Sequence, residues 1–147
     1  MFAPRDSWDA IQIPGLALGK MVRHCLDQSP AEAVGFLVGH GAAVRLVEPL
    51  RNIVPIPENR RAFLAEPYSQ FLAERRAASM GLRIVAVYHS HPDGGASLSA
   101  NDIAVSRRSI PLHVVISFSV RLPEQVTARA YRLTDGRPHE VVIVVLP

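Results

Sequence analysis

The chain has one cysteine, Cys25, in 147 residues. No intramolecular disulfide can form, which fits a reducing compartment and an expected cytoplasmic placement. Long hydrophobic runs are also lacking. The longest aliphatic stretch, Val141 to Leu146, covers six residues, far short of the roughly 20 that a membrane helix needs. Met1 to Ala10 carries Asp6 and Asp9 and no apolar stretch, so no secretory signal is expected. There is no internal repeat, low-complexity tract or linker. Lysine is nearly absent: Lys20 stands beside 15 arginines, and the formal charge is only +3. The arginine pairs at 60–61, 75–76 and 107–108 are scattered, with acids between them. That is the pattern of solvated faces and argues against a nucleic-acid stripe.

What is present is an ordinary globular balance, 48% hydrophobic and 20% charged. The length suits one domain over residues 1–147. Periodicity predicts a helix over Pro14 to Leu26, with Leu18, Met21, Val22, Cys25 and Leu26 on one stripe. A buried strand is expected over Ala33 to Val38, and a partner strand over Ala43 to Leu50 after Gly39 and Gly41. Arg51 to Pro57 reads as irregular, and Arg61 to Ala65 as a short strand. A second helix is expected over Pro67 to Met80, with Tyr68, Phe71, Leu72 and Met80 near one face and Gly81 as its stop. Arg83 to His89 reads as a central strand. A loop at Pro92 to Ala96 and a short helix from Ser99 to Ser106 follow. Three further strands, Leu112 to Val120, Gln125 to Leu133 and Glu140 to Val145, are expected around turns at Leu122-Pro123 and Asp135-Gly136. The order suggests an α/β chain of the α+β type: a mixed, largely antiparallel sheet flanked by helices. The last strand is expected in the core, or at an edge where a second copy could pair with it as a homodimer.

The stretch that carries chemistry is His89-Ser90-His91-Pro92, followed by Ser99 and Asp102. In extended chain alternate side chains point the same way, so His89 and His91 can reach one metal. Asp102, on the following helix, can bring a carboxylate to the same point. Three protein ligands with one open position is the pattern of a catalytic zinc. Each element also has a plainer reading. A histidine at a strand end is commonly surface, and Ser99-x-x-Asp102 can be an N-terminal capping box. The two roles are compatible, because Ser99 can start the helix and still present its hydroxyl.

His-x-His, seven residues, Ser, two residues, Asp resembles the metal motif of the JAMM family, also called MPN-plus or Mov34/PAD-1. Glu32-Ala33-Val34-Gly35-Phe36-Leu37-Val38-Gly39 is similar to the family's other signature, with the Glu 57 residues before His89. The likeness runs from about Ile11 to Val145, and Asn52 with the proline-rich segment after it looks like the small bacterial members. The resemblance implies a fold with a cytidine-deaminase-like arrangement. It implies Zn²⁺ held by His89, His91 and Asp102, a water held by Glu32, and Ser99 as donor to the oxyanion. It implies hydrolysis of an amide bond in a protein or peptide. Many small bacterial members carry cysteine directly after the Glu, where this chain has Ala33 and Val34, which weakens a thiol-linked subtype.

The implied substrate is the C-terminal tail of a small ubiquitin-fold or sulfur-carrier protein, bound by strand addition at the sheet edge beside the site. Other readings are a phage-tail or cell-wall peptidase, a relative associated with DNA repair, and a non-catalytic binding module. No nucleic-acid or membrane partner is expected. Cys25 is expected in the core, Trp8 in the packing of the N-terminal arm, and His113 on the solvent side or supporting the site. His24, His40 and His139 show no partner pattern. Gly94-Gly95 reads either as simple loop relaxation or as a flap over the metal.

Overall fold

The structure, a computed structural model, describes residues 9–147. The expectations for Trp8 and for most of Met1 to Ala10 therefore fall outside the described residues. Seven strands and three helices follow in the order β1 (Ala10–Pro14), α1 (Gly15–Gln28), β2 (Val34–His40), β3 (Ala43–Leu50), α2 (Pro67–Ser79), β4 (Arg83–Pro92), α3 (Ala100–Ala104), β5 (Leu112–Ser119), β6 (Leu122–Thr134) and β7 (Arg137–Leu146), with a 3-10 turn at Glu58–Arg60 before α2. The sheet is mixed, as the sequence implied, but it closes on itself in the order β1-β3-β2-β4-β5-β6-β7. No helix among the described residues is long and apolar enough to cross a membrane.

The closing strand β1 is absent from the sequence expectations. Its five residues are too few for a periodicity argument, although Ile11 and Ile13 alternate inward and are fully buried. It pairs in parallel with β7 from Ala10↔Val142 to Pro14↔Leu146. With β3 it shares only Gln12↔Ala43. Beyond Ala43, β3 is paired only with β2, and Pro49 there suits such an edge. Strand addition at an edge next to β4 is thus not open to a substrate, because β2 and β5 flank β4 on its two sides.

Two apolar clusters lie on opposite faces of β2 and β4. One takes Met21 and Cys25 of α1 with Leu37, Ala86 and Tyr88. The other takes Ala73 and Ala77 of α2 with Phe36, Phe63 and Val87. Cys25 is a buried core thiol, as expected. The expected face of α2 is not the buried one. Small Ala73 and Ala77 let the helix lie close to the sheet, while Tyr68, Phe71 and Met80 are exposed. In β7 only Val141 is buried, while Val142, Val144 and Val145 are exposed. The strand sits between β6 and β1 and is neither core nor edge.

The β5–β6 turn lies before Leu122, which already pairs with Ser119. Asp135 (φ 52°) and Gly136 (φ 74°) form the expected two-residue turn between Thr134 and Arg137. Arg61 to Ala65 yields a single bridge, Asn52↔Ala65, and no strand.

Candidate active site

The strand period places Val87, His89 and His91 on the face of β4 turned toward Phe63, with Tyr88 and Ser90 on the other. His89 is fully buried between Val34 of β2 and Val115 of β5. The Phe63 ring lies 4.5 Å from its ring, tilted by 31°. His91, one step further out, is partly exposed. Its Nδ1 lies 2.7 Å from the Gly95 carbonyl. A carbonyl can only accept, so Nδ1 carries the proton and Nε2 keeps its lone pair.

Asp102 reaches the same point from α3. Ser99 Oγ accepts from the Asp102 amide at 3.0 Å, and the Ser99 amide donates to Asp102 Oδ2 at 2.9 Å. The capping box is therefore present. The same Oδ2 also lies 3.0 Å from both His89 Nε2 and His91 Nε2. Ser99 is thus both helix start and a hydroxyl at the cleft.

The loop that carries Ser99 is fastened residue by residue. The Asp93 amide donates to Phe118 O, Ser117 Oγ to Gly94 O, and Tyr131 Oη to Ala96 O. With the His91–Gly95 bond, each residue from 93 to 96 is tied to a strand, which speaks against a loose flap over the site. A Cβ on Gly94 would lie 3.2 Å from the Cβ of His91.

Glu32 enters from the chain just before β2 and is 4% exposed. Its amide donates to Asn59 O at 2.7 Å, and its carbonyl accepts from Asn52 Nδ2 at 2.9 Å. Asn52 Nδ2 also donates to Ala62 O, and Asn52 Oδ1 accepts from the amides of Val54 and Leu64. One side chain therefore sets the whole 52–64 segment against the catalytic carboxylate candidate. Asn52→Ala leaves these groups without their partner and is expected to cost about 2–4 kcal/mol. Equilibrium urea unfolding measures this, and a change below about 0.5 kcal/mol would contradict the staple.

The electrostatics follow from burial. Burial pushes the Glu32 carboxyl up to about 7, with His91 pulling it down and Asp102 adding to the rise. Burial also opposes ionisation of Asp102. The two imidazoles against it, the charge of His89 and the Ser99 amide outweigh it and hold that carboxyl well below the usual range. His89 is lowered by burial despite Asp102. His91 is raised, because Asp102 and the Gly95 carbonyl outweigh its burial.

His89 Nε2, His91 Nε2 and Asp102 Oδ2 thus form a triangle with every side 3.0 Å. Tetrahedral zinc with bonds near 2.0–2.1 Å separates its ligands by about 3.3 Å. The triangle is close to that spacing, and a two-nitrogen, one-oxygen set suits the ion. One donor atom each from Glu32, His89, His91 and Asp102 lies within 4.8 Å of the others. Glu32 Oε1 is buried with no hydrogen-bond partner, as an oxygen awaiting a water would be. The residues present therefore fit a divalent metal and a water beside it.

Of the two alternatives for His113, the solvent side is ruled out: it is 2% exposed, neither ring nitrogen has a partner among the described residues, and burial pushes it down to about 4, with His89 and Asp102 also acting on it. His24 does have a partner, since its Nδ1 lies 2.7 Å from Tyr88 Oη. Phe63, Tyr131 and Ser117 are supporting residues that the sequence reading passed over. Tyr131 had a usable signal, because a tyrosine in a buried strand needs a partner for its hydroxyl.

Comparison with known proteins agrees with this geometry. A probable TtuB-protein conjugate cleaving protease of Thermus thermophilus is 33% identical over 136 residues, 92% of this chain and 83% of that protein. The 26S proteasome regulatory subunit RPN11 of Encephalitozoon cuniculi is 25% identical over 142 residues, 90% of this chain and 48% of that one. The solution structure of a Desulfitobacterium hafniense protein has the same fold, with a TM-score of 0.77 at 24% identity and 92% of each chain covered. Residues 16–134 match the family described as prokaryotic homologs of the JAB domain, and with the His-x-His, Ser and Asp residues gathered at one cleft the chain belongs to that family.

Proposed function

We propose that the chain is a zinc-dependent peptidase that hydrolyses an amide bond at the C-terminal tail of a small ubiquitin-fold or sulfur-carrier protein. The observation that carries the chemistry is the 3.0 Å triangle of His89, His91 and Asp102 with the unpartnered Glu32 oxygen beside it. The name of the Thermus relative, a conjugate-cleaving protease, supports a protein substrate.

Zinc held by His89, His91 and Asp102 would lower the pKa of its water to about 7 and polarise the scissile carbonyl. Glu32 accepts the proton of that water at its unpartnered Oε1. The same carboxyl then returns the proton to the leaving amine, so it ends the cycle as it began. Burial favours the protonated form of this carboxyl, and so helps it to hold the proton between the two halves of that transfer. Ser99 Oγ already accepts from the Asp102 amide, which leaves its own O–H to donate. Aimed at the carbonyl oxygen as it gains charge, that hydrogen bond favours the transition state over the ground state. Phe63 against His89 keeps water from the buried side of the site.

Metal analysis of the purified protein tests the centre. One zinc per chain is expected in the wild type and in Glu32→Gln, and none in His91→Ala. A well-folded wild type that binds no zinc after chelator-free preparation would leave the capping box as the full account of the motif. The substrate class is tested by incubation with purified ubiquitin-fold proteins bearing C-terminal extensions. Failure to process any of them by the zinc-loaded enzyme would remove that part of the reading.

A further inference from the structure

The three arginine pairs of the sequence have different fates. Arg76 is paired with Glu48 at 2.9 Å and Arg107 with Glu74 at 2.6 Å, while Arg75 lies over the Phe71 ring. Arg60 and Arg61 have no ion-pair partner among the described residues, and both are exposed. They stand on the wall of a cleft of about 750 Å³ that also holds Glu32, His91, Asp93 and Ser99.

The placement of these two residues is fixed. Arg60 closes the 3-10 turn Glu58–Arg60, whose Asn59 carbonyl accepts the Glu32 amide. The Arg61 amide donates to Glu58 O, and Asn52 holds Ala62 O and the Leu64 amide on the far side. Neither arginine side chain holds Glu32 in place, since residue 32 is fastened by its backbone bonds to Asn59 and Asn52. Asp93, which lines the same cleft, accepts the Val120 amide with its Oδ1. Two arginines on a fastened turn, lining the cleft and unpaired among the described residues, match a carboxylate.

We propose that Arg60 and Arg61 form a carboxylate subsite, so that the substrate segment lying in the cleft carries a negative charge beside the bond to be cut. The inference rests on the peptidase reading and narrows it to two sources of the same chemistry. The carboxylate is either the free C-terminus of a short leaving segment or the side chain of Asp or Glu within it. A free terminus would make the enzyme a trimmer of short extensions.

Three synthetic peptides test this by calorimetry on zinc-loaded Glu32→Gln protein. They are Ala-Gly-Gly-Ala with a free carboxylate, the same peptide as its C-terminal amide, and Ala-Gly-Gly-Glu as its amide. At least one carboxylate peptide is expected to bind about tenfold more tightly than the neutral amide, and which one does so identifies the source. With Arg60→Gln and Arg61→Gln together, that advantage is expected to fall below about twofold, at an unchanged Tm. An advantage that survives in the arginine variant would place the carboxylate on the metal or elsewhere and overturn the proposal, as would equal binding of all three peptides. Wild-type hydrolysis of the same peptides separates the two levels. Cleavage without carboxylate preference removes the subsite and leaves the peptidase. Carboxylate preference in binding without cleavage of any peptide removes the peptidase reading and leaves the subsite.

Discussion

Glu32→Gln is expected to lower kcat by about 10³-fold with zinc retained at one per chain and KM nearly unchanged. The amide is almost isosteric with the carboxyl, so packing around this 4%-exposed residue is preserved. The backbone bonds of residue 32 to Asn59 and Asn52 do not depend on the side chain and also remain. What is lost is the proton site at Oε1. A Gln cannot take a proton from water or hand one to a leaving amine, and about 10³-fold corresponds to about 4 kcal/mol of barrier. Single-turnover hydrolysis of a tail-extended carrier, with metal content measured on the same sample, reads the effect. A zinc-loaded Glu32→Gln enzyme working within about fivefold of wild type would show that the proton moves elsewhere.

Gly35→Ala is expected to destabilise the fold by about 3 kcal/mol, the upper end of ordinary overpacking. Gly35 of β2 pairs directly with Tyr88 of β4. A Cβ at Gly35 would lie 2.3 Å from ring atoms Cε1 and Cζ of Tyr88. The ring has no room to retreat, for it is fully buried and its hydroxyl is bonded to His24. Any shift of Tyr88 is passed to its neighbour His89. Urea unfolding of Gly35→Ala alone and in a Tyr88→Leu background separates this clash from a general strand effect. In the Tyr88→Leu background the same change is expected to cost less than about 1 kcal/mol. An equal cost in both backgrounds would mean that the Tyr88 ring is not what requires glycine.

The residues of the site were legible because strand geometry translates spacing directly into direction. His89 and His91, two apart in an apolar run, had to share a face, and a capping pair at 99 and 102 had to turn its Asp back toward the helix start. α1 was legible for the same reason, its stripe matching Met21 and Cys25 in the core. What failed was inference from hydrophobicity alone. The large residues of α2 look outward because Ala73 and Ala77 give the closer approach to the sheet. The valines of β7 suggested burial, yet alternate residues of a strand in a single-layer wall face solvent whatever their type. Barrel closure was invisible because it depends on β1, a strand of five residues, finding partners more than 100 positions away. The fates of Arg60 and Arg61 could not be told from those of the other arginine pairs, since ion pairing is decided by tertiary neighbours.

The pairing of β1 with β7 also bears on how the molecule is made. Among the described residues β1 is the first strand to be translated and β7 the last, yet they lie side by side from Ala10↔Val142 onward. Glu32, His89, His91 and Asp102 are all translated before residue 137 begins the final strand. A nascent chain therefore contains every chemical group of the cleft while residues 10–14 still lack their main neighbour. Contacts of such long sequence separation form late in folding. The finished wall, and with it the full support of the first core cluster, arrives only after synthesis has passed these cleft residues by more than 30 positions. This order delays closure of the sheet around the cleft until β7 has been made.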